Sequence, residues 1–369
     1  MKKKIIASVI SDIVTDQRVQ KECATFHKIG YEVLLIGRRS NSDVGLSKLP
    51  YRIIRFWDPF KRGAAMYVFF NIQLFLYLLF QRVDILWAND LDTLLPNFLI
   101  SRFRKKVLVY DSHEYFLLTV AKRFSRNIFT RIERYIFPKL AHVVTVNNSI
   151  KEVYEKAYGV AITVIRNVPF SSTPVREVSL LPGHEGKRIL LMQGIGLNEN
   201  RGAEEAVEMM PFLATDYILY FIGRGTILQK LKDMVVQLRL EERVFFLGVL
   251  PYDEMMAYTR RAYLGLIFEK IDFNDEHMFA LPNKFFDYIK AGLPVLSSKA
   301  IEIKAIIDKY NIGTYIDDFV PENIARKIAG IGKDEKGYAN WKQHLPAAAA
   351  ELNWEKEEVK LISFIKGCK

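Results

Sequence analysis

The chain has 369 residues, half of them hydrophobic and 26% charged, enough for two or three globular domains and incompatible with a disordered or low-complexity chain. Two cysteines, Cys23 and Cys368, give neither a disulfide framework nor a zinc-ligand spacing, so a reducing cytosol is expected. The net charge of +11 is uneven: residues 1–170 hold 27 Lys and Arg against 14 Asp and Glu, while residues 171–369 hold 26 against 28, which points to an anionic partner for the first half.

The start, "MKKKIIASVISDIVTDQ", is basic, but its apolar run is short and no small-residue cleavage site follows, so no signal peptide is expected. "IIASVIS" reads as a strand, and "SDIVTDQRV" puts Asp16 and Arg18 just after it. "DQRVQKECATFHKIG" is a helix closed by a glycine. "EVLLIGR" and "YRIIRF" are strands. The most apolar run, Ala64 to Phe80, contains Asn71 and Gln73 and is shorter than the ~20 residues of a membrane span. It predicts a buried or half-buried helix, with a membrane-contacting helix flanked by Lys61, Arg62 and Arg82 as the alternative.

"DILWAN" is a strand that delivers Asp90 and Asp92. The Asp-X-Asp pair suggests a metal, but Asp92 reads better as a helix N-cap and no third ligand follows, so no metal is expected. "KVLVYDSHEYF" ends a strand on Asp111, Ser112, His113 and Glu114. His113 at a strand end can bind a hydroxyl or a phosphate, and the clustering favours a functional over a structural role. Arg102 to Lys139 carries ten Lys and Arg against three Asp and Glu. In it Phe116, Phe124, Ile128, Phe129 and Ile132 interleave with Lys122, Arg123, Arg126, Arg131 and Arg134. That pattern fits an anionic membrane surface, the alternative being an apolar face on the domain core with solvated arginines. "HVVTVN" and "TVIRN" complete the first half.

Val168 to Arg188 has no period and is rich in Pro, Ser and Gly, so it reads as a linker. The alternation then restarts with "ILLMQG", "YILYFIG", "VFFLG", "LGLIF", "PVLSS" and "GTYID", with a helix after each of the first four. The pattern predicts an α/β chain of two Rossmann-like, doubly wound domains facing across a cleft. Residues 1–170 form the first domain, 171–187 the linker, 188–345 the second domain and 346–369 a tail. The tail holds the helix "NWEKEEVKLISFIKG", with Asn353 as candidate N-cap. Walker A, G-x-S-x-G, C-x-x-C and a nucleic-acid recognition module are all missing from the sequence, so no nucleic-acid partner is expected.

In such sheets ligands bind beyond the carboxyl ends of strands. "LPNKFFDYIKAGLPV", Leu281 to Val295, opens a helix with Asn283, Lys284 and Asp287, although a helix start disfavours a cation. The lysine is explained if a diphosphate sits at the helix N-terminus, with Asp287 on a ribose diol. The alternative is a plain Lys284–Asp287 ion pair on a solvated face. "LMQGIGLNENRGAEEAV" ends a strand at Gly194 and opens a helix at Arg201-Gly202. Arg201 can reach the same diphosphate or can simply flank its helix. "FIGRGTILQKL" brackets Arg224 between Gly223 and Gly225, a weak phosphate signal.

Taken together these residues resemble the GT-B glycosyltransferases, specifically retaining family four (glycosyl transferases group 1), over nearly the whole chain. "LPNKFFDYIKAGLPVLSS" resembles that family's donor signature, "QGIGLNENRG" its strand–loop–basic-Gly element and "VFFLGVLPYDEMMAYTRRAYLGLI" its base-binding segment. "DIVTDQRVQKECATFHKIGYEVLLIGR", "NDLDTLLP" and "YDSHEYF" resemble the acceptor domain of its polysaccharide-assembly members. The resemblance implies transfer from a nucleotide-diphosphate sugar to a lipid-linked or saccharide hydroxyl in surface polysaccharide or glycolipid assembly, with retention and without metal or cofactor. It also implies a C-terminal helix crossing back to the first domain, and a cytoplasmic enzyme peripheral to the inner face of the membrane. It puts His113, Arg201 and Lys284 in catalysis, and Gly194, Asn200, Arg201, Gly223, Leu250, Asn283, Lys284 and Asp287 on the donor. Asp16, Arg18, Asp90 and Glu114 fall on the acceptor side. Of the family's two glutamates eight positions apart, the second falls on Asp287 and the first on Phe279, with Glu276 out of register. Two other functions fit the same features: a nucleotide-sugar epimerase of this fold, and a degenerate membrane-bound scaffold.

Overall fold

The computed structural model describes residues 2–39, 46, 49–60, 63–115, 123–172, 177–178, 180–270 and 276–368. The chain divides into two compact units. The first is Met1–Asn167 with Lys356–Lys369, and the second is Val168–Glu355.

In the first unit, strands β1 (Lys4–Ser8), β2 (Glu32–Arg38), β3 (Arg52–Phe56), β4 (Ile85–Asn89), β5 (Val107–Ser112), β6 (His142–Thr145) and β7 (Ile162–Val164) form one parallel sheet in the order β3-β2-β1-β4-β5-β6-β7. Helices α1 (Gln17–Lys28), α2 (Ala64–Phe80), α3 (Leu91–Arg104), α4 (Arg123–Ile136) and α5 (Asn148–Tyr158) connect them. All five residues of β1 and of β4 are buried, as expected for central parallel strands covered on both faces.

In the second unit, β8 (Arg188–Gly194), β9 (Tyr217–Gly223), β10 (Val244–Gly248), β11 (Leu264–Ile267), β12 (Val295–Ser297) and β13 (Gly313–Tyr315) form a parallel sheet in the order β10-β9-β8-β11-β12-β13. Its helices are α6 (Ala203–Glu208), α7 (Leu228–Gln237), α8 (Tyr252–Arg261), α9 (Asn283–Ala291), α10 (Ile301–Tyr310), α11 (Pro321–Lys333) and α12 (Glu335–Glu351). Each sheet therefore starts in the middle, winds outward and then reverses. The reversal lies between β1 and β4 in one unit and between β8 and β11 in the other. Crevices for ligands open at the carboxyl ends of those strand pairs.

The last helix, α13 (Trp354–Gly367), belongs almost wholly to the first unit. There Glu358 accepts from the Thr25 hydroxyl at 3.0 Å and pairs with Lys28 at 2.8 Å, and the Phe364 ring stands edge-on to Trp87. Residues 171–187, expected as a linker between the domains, fall within the second unit as far as they are described.

Ala64–Phe80 is a helix, but only half of its apolar surface is inside. Met66, Phe70, Leu74 and Leu78 are buried, whereas Val68, Ile72, Leu76 and Phe80 are exposed.

Candidate active site

The second unit's crevice is built by glycines. Gly223 ends β9 with φ 133°, a conformation that L side chains rarely adopt, and a Cβ there would lie 1.8 Å from the Gly194 carbonyl oxygen. The loop after β8 therefore lies directly on the loop after β9, with the Leu197 amide donating to the Arg224 carbonyl at 3.1 Å. At the far end of that loop Gly202 has φ 67°, and a Cβ would sit 2.2 Å from that of Phe268. The Lys270 amide donates to the Asn200 carbonyl at 2.9 Å. These contacts fix Arg201 beside the residues that follow β11.

The first polar residue there is Glu269, whose side chain has no solvent exposure. Its Oε1 lies 3.4 Å from Arg201 Nη1 and 3.3 Å from Lys284 Nζ. Lys284 comes from the first turn of α9, a turn with no acidic residue and no side-chain cap on its amides. The Tyr288 hydroxyl accepts from the Gln193 amide at 3.2 Å and donates to the Leu191 carbonyl at 3.1 Å, which bolts α9 to β8 just before Gly194. Two cations thus converge on one buried carboxylate at an open helix N-terminus, leaving a formal excess of positive charge where backbone amides also point. Cations and free amides at a helix start are the arrangement that suits an anion.

Of the expected donor residues, Gly194, Gly223, Asn200, Arg201 and Lys284 come together here. Asn283 is exposed at the head of α9, and Leu250 packs against the core on which that helix rests. Asp287 is nearly buried and accepts from the Tyr252 hydroxyl at 2.6 Å, which ties α9 to α8. Phe279 ends the single 3-10 turn Glu276–Phe279. Glu269 was not expected. The signal for it was positional: it stands just past β11, at the reversal of strand order.

In the first unit His113 follows β5, with Nε2 3.1 Å from Asp111 Oδ2 and 3.2 Å from Asn89 Oδ1, and Nδ1 3.4 Å from Asp90 Oδ2. Its amide donates to Asp90 Oδ1 at 2.9 Å. Burial alone would lower the imidazole's pKa, but Asp90 and then Asp111 outweigh it and lift it to about 10. With carboxylate or amide oxygens facing both ring nitrogens, the surroundings favour the protonated imidazole. Burial would raise Asp111, yet Arg18 and His113 hold it well below the usual carboxylate range. Burial raises Asp90, with His113 opposing. Asp90 adopts φ 58°, which is rare without glycine.

Arg18, expected on the acceptor side, lies inside the first unit. It is 2% exposed, grips Asp111 through two nitrogens at 2.9 and 2.7 Å, and donates to the Ile165 carbonyl at 2.6 Å. Glu22, one turn on, adds a contact at 3.1 Å. Burial lifts Glu22 well above its normal range, with Arg18 opposing. Arg18 thus holds Asp111, and through it His113, from a buried position. Asp16 caps α1 by accepting from the Val19 amide at 3.1 Å. Glu114 is exposed, and its carbonyl accepts from the Ser112 hydroxyl. Asp92, expected as an N-cap, lies inside α3. The cap position is held by Asp90, which makes no side-chain cap bond. Among the basic segment's residues, Phe116 and Lys122 lie outside the described residues.

Both halves match known families. The model of Glycosyltransferase Family 4 matches residues 17–168, and that of Glycosyl transferases group 1 matches residues 182–346. No curated protein matches the chain by sequence. Among solved structures, Anabaena HepE in complex with UDP and glucose is 14% identical with a TM-score of 0.78, covering 99% of this chain and 100% of HepE. WaaG, a glycosyltransferase involved in lipopolysaccharide biosynthesis, is 15% identical with a TM-score of 0.69, over 98% of this chain and 100% of its own. A Listeria monocytogenes protein assigned as a UDP-N-acetylglucosamine 2-epimerase is 13% identical with a TM-score of 0.67, over 99% and 96%. Likeness at these identities establishes the fold.

Proposed function

We propose a donor, an outcome and a setting for this chain, which belongs to the glycosyltransferases, its first unit to Glycosyltransferase Family 4 and its second to the group 1 glycosyl transferases. The donor is a nucleoside-diphosphate sugar, and the sugar passes to a hydroxyl of a saccharide or lipid-linked acceptor. The observation that carries this is the convergence of Arg201 and Lys284 on Glu269 at the start of α9.

Breaking the sugar–phosphate bond leaves negative charge on the departing diphosphate. Arg201, Lys284 and the α9 amides stand ready for that charge, and a preorganised donor of this kind lowers the barrier by about 3 kcal/mol. Such cationic stabilisation supports a reaction independent of metal. Glu269 keeps the two cations in place before the donor arrives. His113, whose two ring nitrogens already face Asn89, Asp90 and Asp111, helps to hold the donor sugar or the leaving group through its charge. Asp16, Asp90 and Glu114 belong to the acceptor side, and the transfer retains anomeric configuration.

The complex of HepE with UDP and glucose makes UDP-glucose the first donor to test, and the WaaG likeness favours surface-glycan assembly. For that assembly we propose the inner face of the membrane as the setting. Incubation with UDP-sugars with and without saccharide acceptors tests the reading. Acceptor-dependent release of UDP supports it, whereas isomerisation of the donor alone supports the epimerase.

A further inference from the structure

The helices α2, α3 and α4 lie side by side in the first unit. The Asn71 side chain donates to the Asp92 carbonyl at 2.8 Å, and Arg104 donates to the Leu78 carbonyl at 3.1 Å, so α2 and α3 run parallel with their carboxyl ends together. The rings of Tyr67 and Phe129 meet at 5.7 Å, and those of Phe98 and Tyr135 at 6.3 Å, which places α4 against both.

On α2 two apolar rows follow the same four-residue step, two residues apart. At ~100° per residue they lie on opposite faces. One row is buried in the sheet-facing core. The other holds Val68, Ile72, Leu76 and Phe80, each more than half exposed, Phe80 at 80%. On α3 a matching row, Leu95, Leu99 and Phe103, ends on Phe103 at 77%. Two large aromatic rings therefore stand in solvent at the same end of one apolar face, a surface that marks a binding site in a soluble protein.

Charge identifies the occupant. The three helices contain six arginines and two carboxylates, Asp92 and Glu133. Glu133 is fully buried, and Asp92 is half-buried in the first turn of α3, at the end away from the phenylalanines. Beside Phe103 a groove is lined by Arg102, Lys105, Lys106, Lys139 and His142. Arg102 donates to the Lys139 carbonyl at 3.0 Å, which holds the groove's two walls together. Asp84 contacts Lys106 only at 3.8 Å, so the groove keeps its positive excess. A second copy of the same face would bring these cations together, whereas an anionic bilayer satisfies both the apolar rows and the groove. Among the described residues no helix is long and apolar enough to cross a membrane, and α2 has 17 residues, so the face lies in the interface.

We infer that the α2–α3 face is the membrane-docking surface, its apolar rows entering the acyl boundary and the Arg102–Lys139 groove taking a lipid phosphate. This deepens the membrane setting proposed above and rests on it. The test uses the full chain and vesicles of phosphatidylglycerol and phosphatidylcholine, with a UDP thermal shift on each variant reporting donor binding separately. Wild type should co-sediment with the anionic vesicles and not with phosphatidylcholine alone. Phe80→Ser with Phe103→Ser should weaken partitioning about a hundredfold with unchanged melting temperature, since two large side chains no longer enter the bilayer. Arg102→Glu with Lys105→Glu should abolish the preference for anionic lipid. Wild type left in the supernatant, or a serine variant that binds like wild type, overturns the inference. So does a wild-type dimer that the serine variant returns to monomer.

Discussion

Arg201 and Lys284 meet on a single atom, Oε1 of Glu269, at 3.4 and 3.3 Å, although 83 residues separate them in sequence. A cation in the first turn of a helix opposes the helix dipole. The buried carboxylate offsets that opposition while no anionic ligand is present. Replacing either cation by alanine should therefore lower turnover by about 10²–10³-fold in kinetic assays while the circular dichroism spectrum is unchanged. Wild-type turnover in either variant removes the diphosphate assignment.

Glu269→Gln should act differently. It leaves two cations facing each other around a neutral amide, and breaking a buried ion cluster costs about 3 kcal/mol. The variant's denaturation midpoint should fall, and saturating UDP should restore part of it by supplying the missing negative charge. A midpoint equal to wild type without nucleotide is incompatible with a holding role for Glu269.

Gly223→Ala separates conformation from contact. Gly30 has φ 98° and open space around it, so Gly30→Ala meets only the backbone penalty of about 1–2 kcal/mol. Gly223→Ala adds a collision with the Gly194 carbonyl and should destabilise by clearly more, with loss of nucleotide binding. Similar urea midpoints for the two variants would mean that the loops do not need this close approach.

His113 predicts a pH signature. Its pKa is lifted in the folded chain to about 10 from an ordinary value near 6.5, so its charge stabilises the fold fully below about pH 6.5. That contribution is lost as pH rises from about 6.5 towards 10. The stability difference between wild type and His113→Asn should shrink over this window by a few kcal/mol. A difference independent of pH from 6.5 to 10 would contradict a charged His113.

The alternation of short apolar strands with helical stretches is enough to read two parallel-sheet units, and "EVLLIGR" maps onto β2 residue for residue. Residues next to glycines at strand ends were legible for the same reason: Gly194, Gly223 and Arg201 announce a tight turn into a helix. Glu269 was not, because "LIFEK" has no turn signal and its partners are 68 and 15 residues away in sequence. Arg18 looked available because it follows a strand among polar residues, yet its partner Asp111 is 93 residues on. The exposed row of α2 was hidden by composition, since a helix apolar on all sides carries no periodic mark of its solvent face.

A diphosphate held by Arg201 and Lys284 is directly accessible to thermal denaturation with a panel of nucleoside diphosphates. At 100 times its dissociation constant a bound nucleotide adds about 2.7 kcal/mol, a rise of a few degrees. At least one diphosphate, UDP first, should raise the melting temperature of wild type and leave Arg201→Ala and Lys284→Ala unmoved. No rise in wild type with any nucleotide, or equal rises in all three proteins, would contradict it.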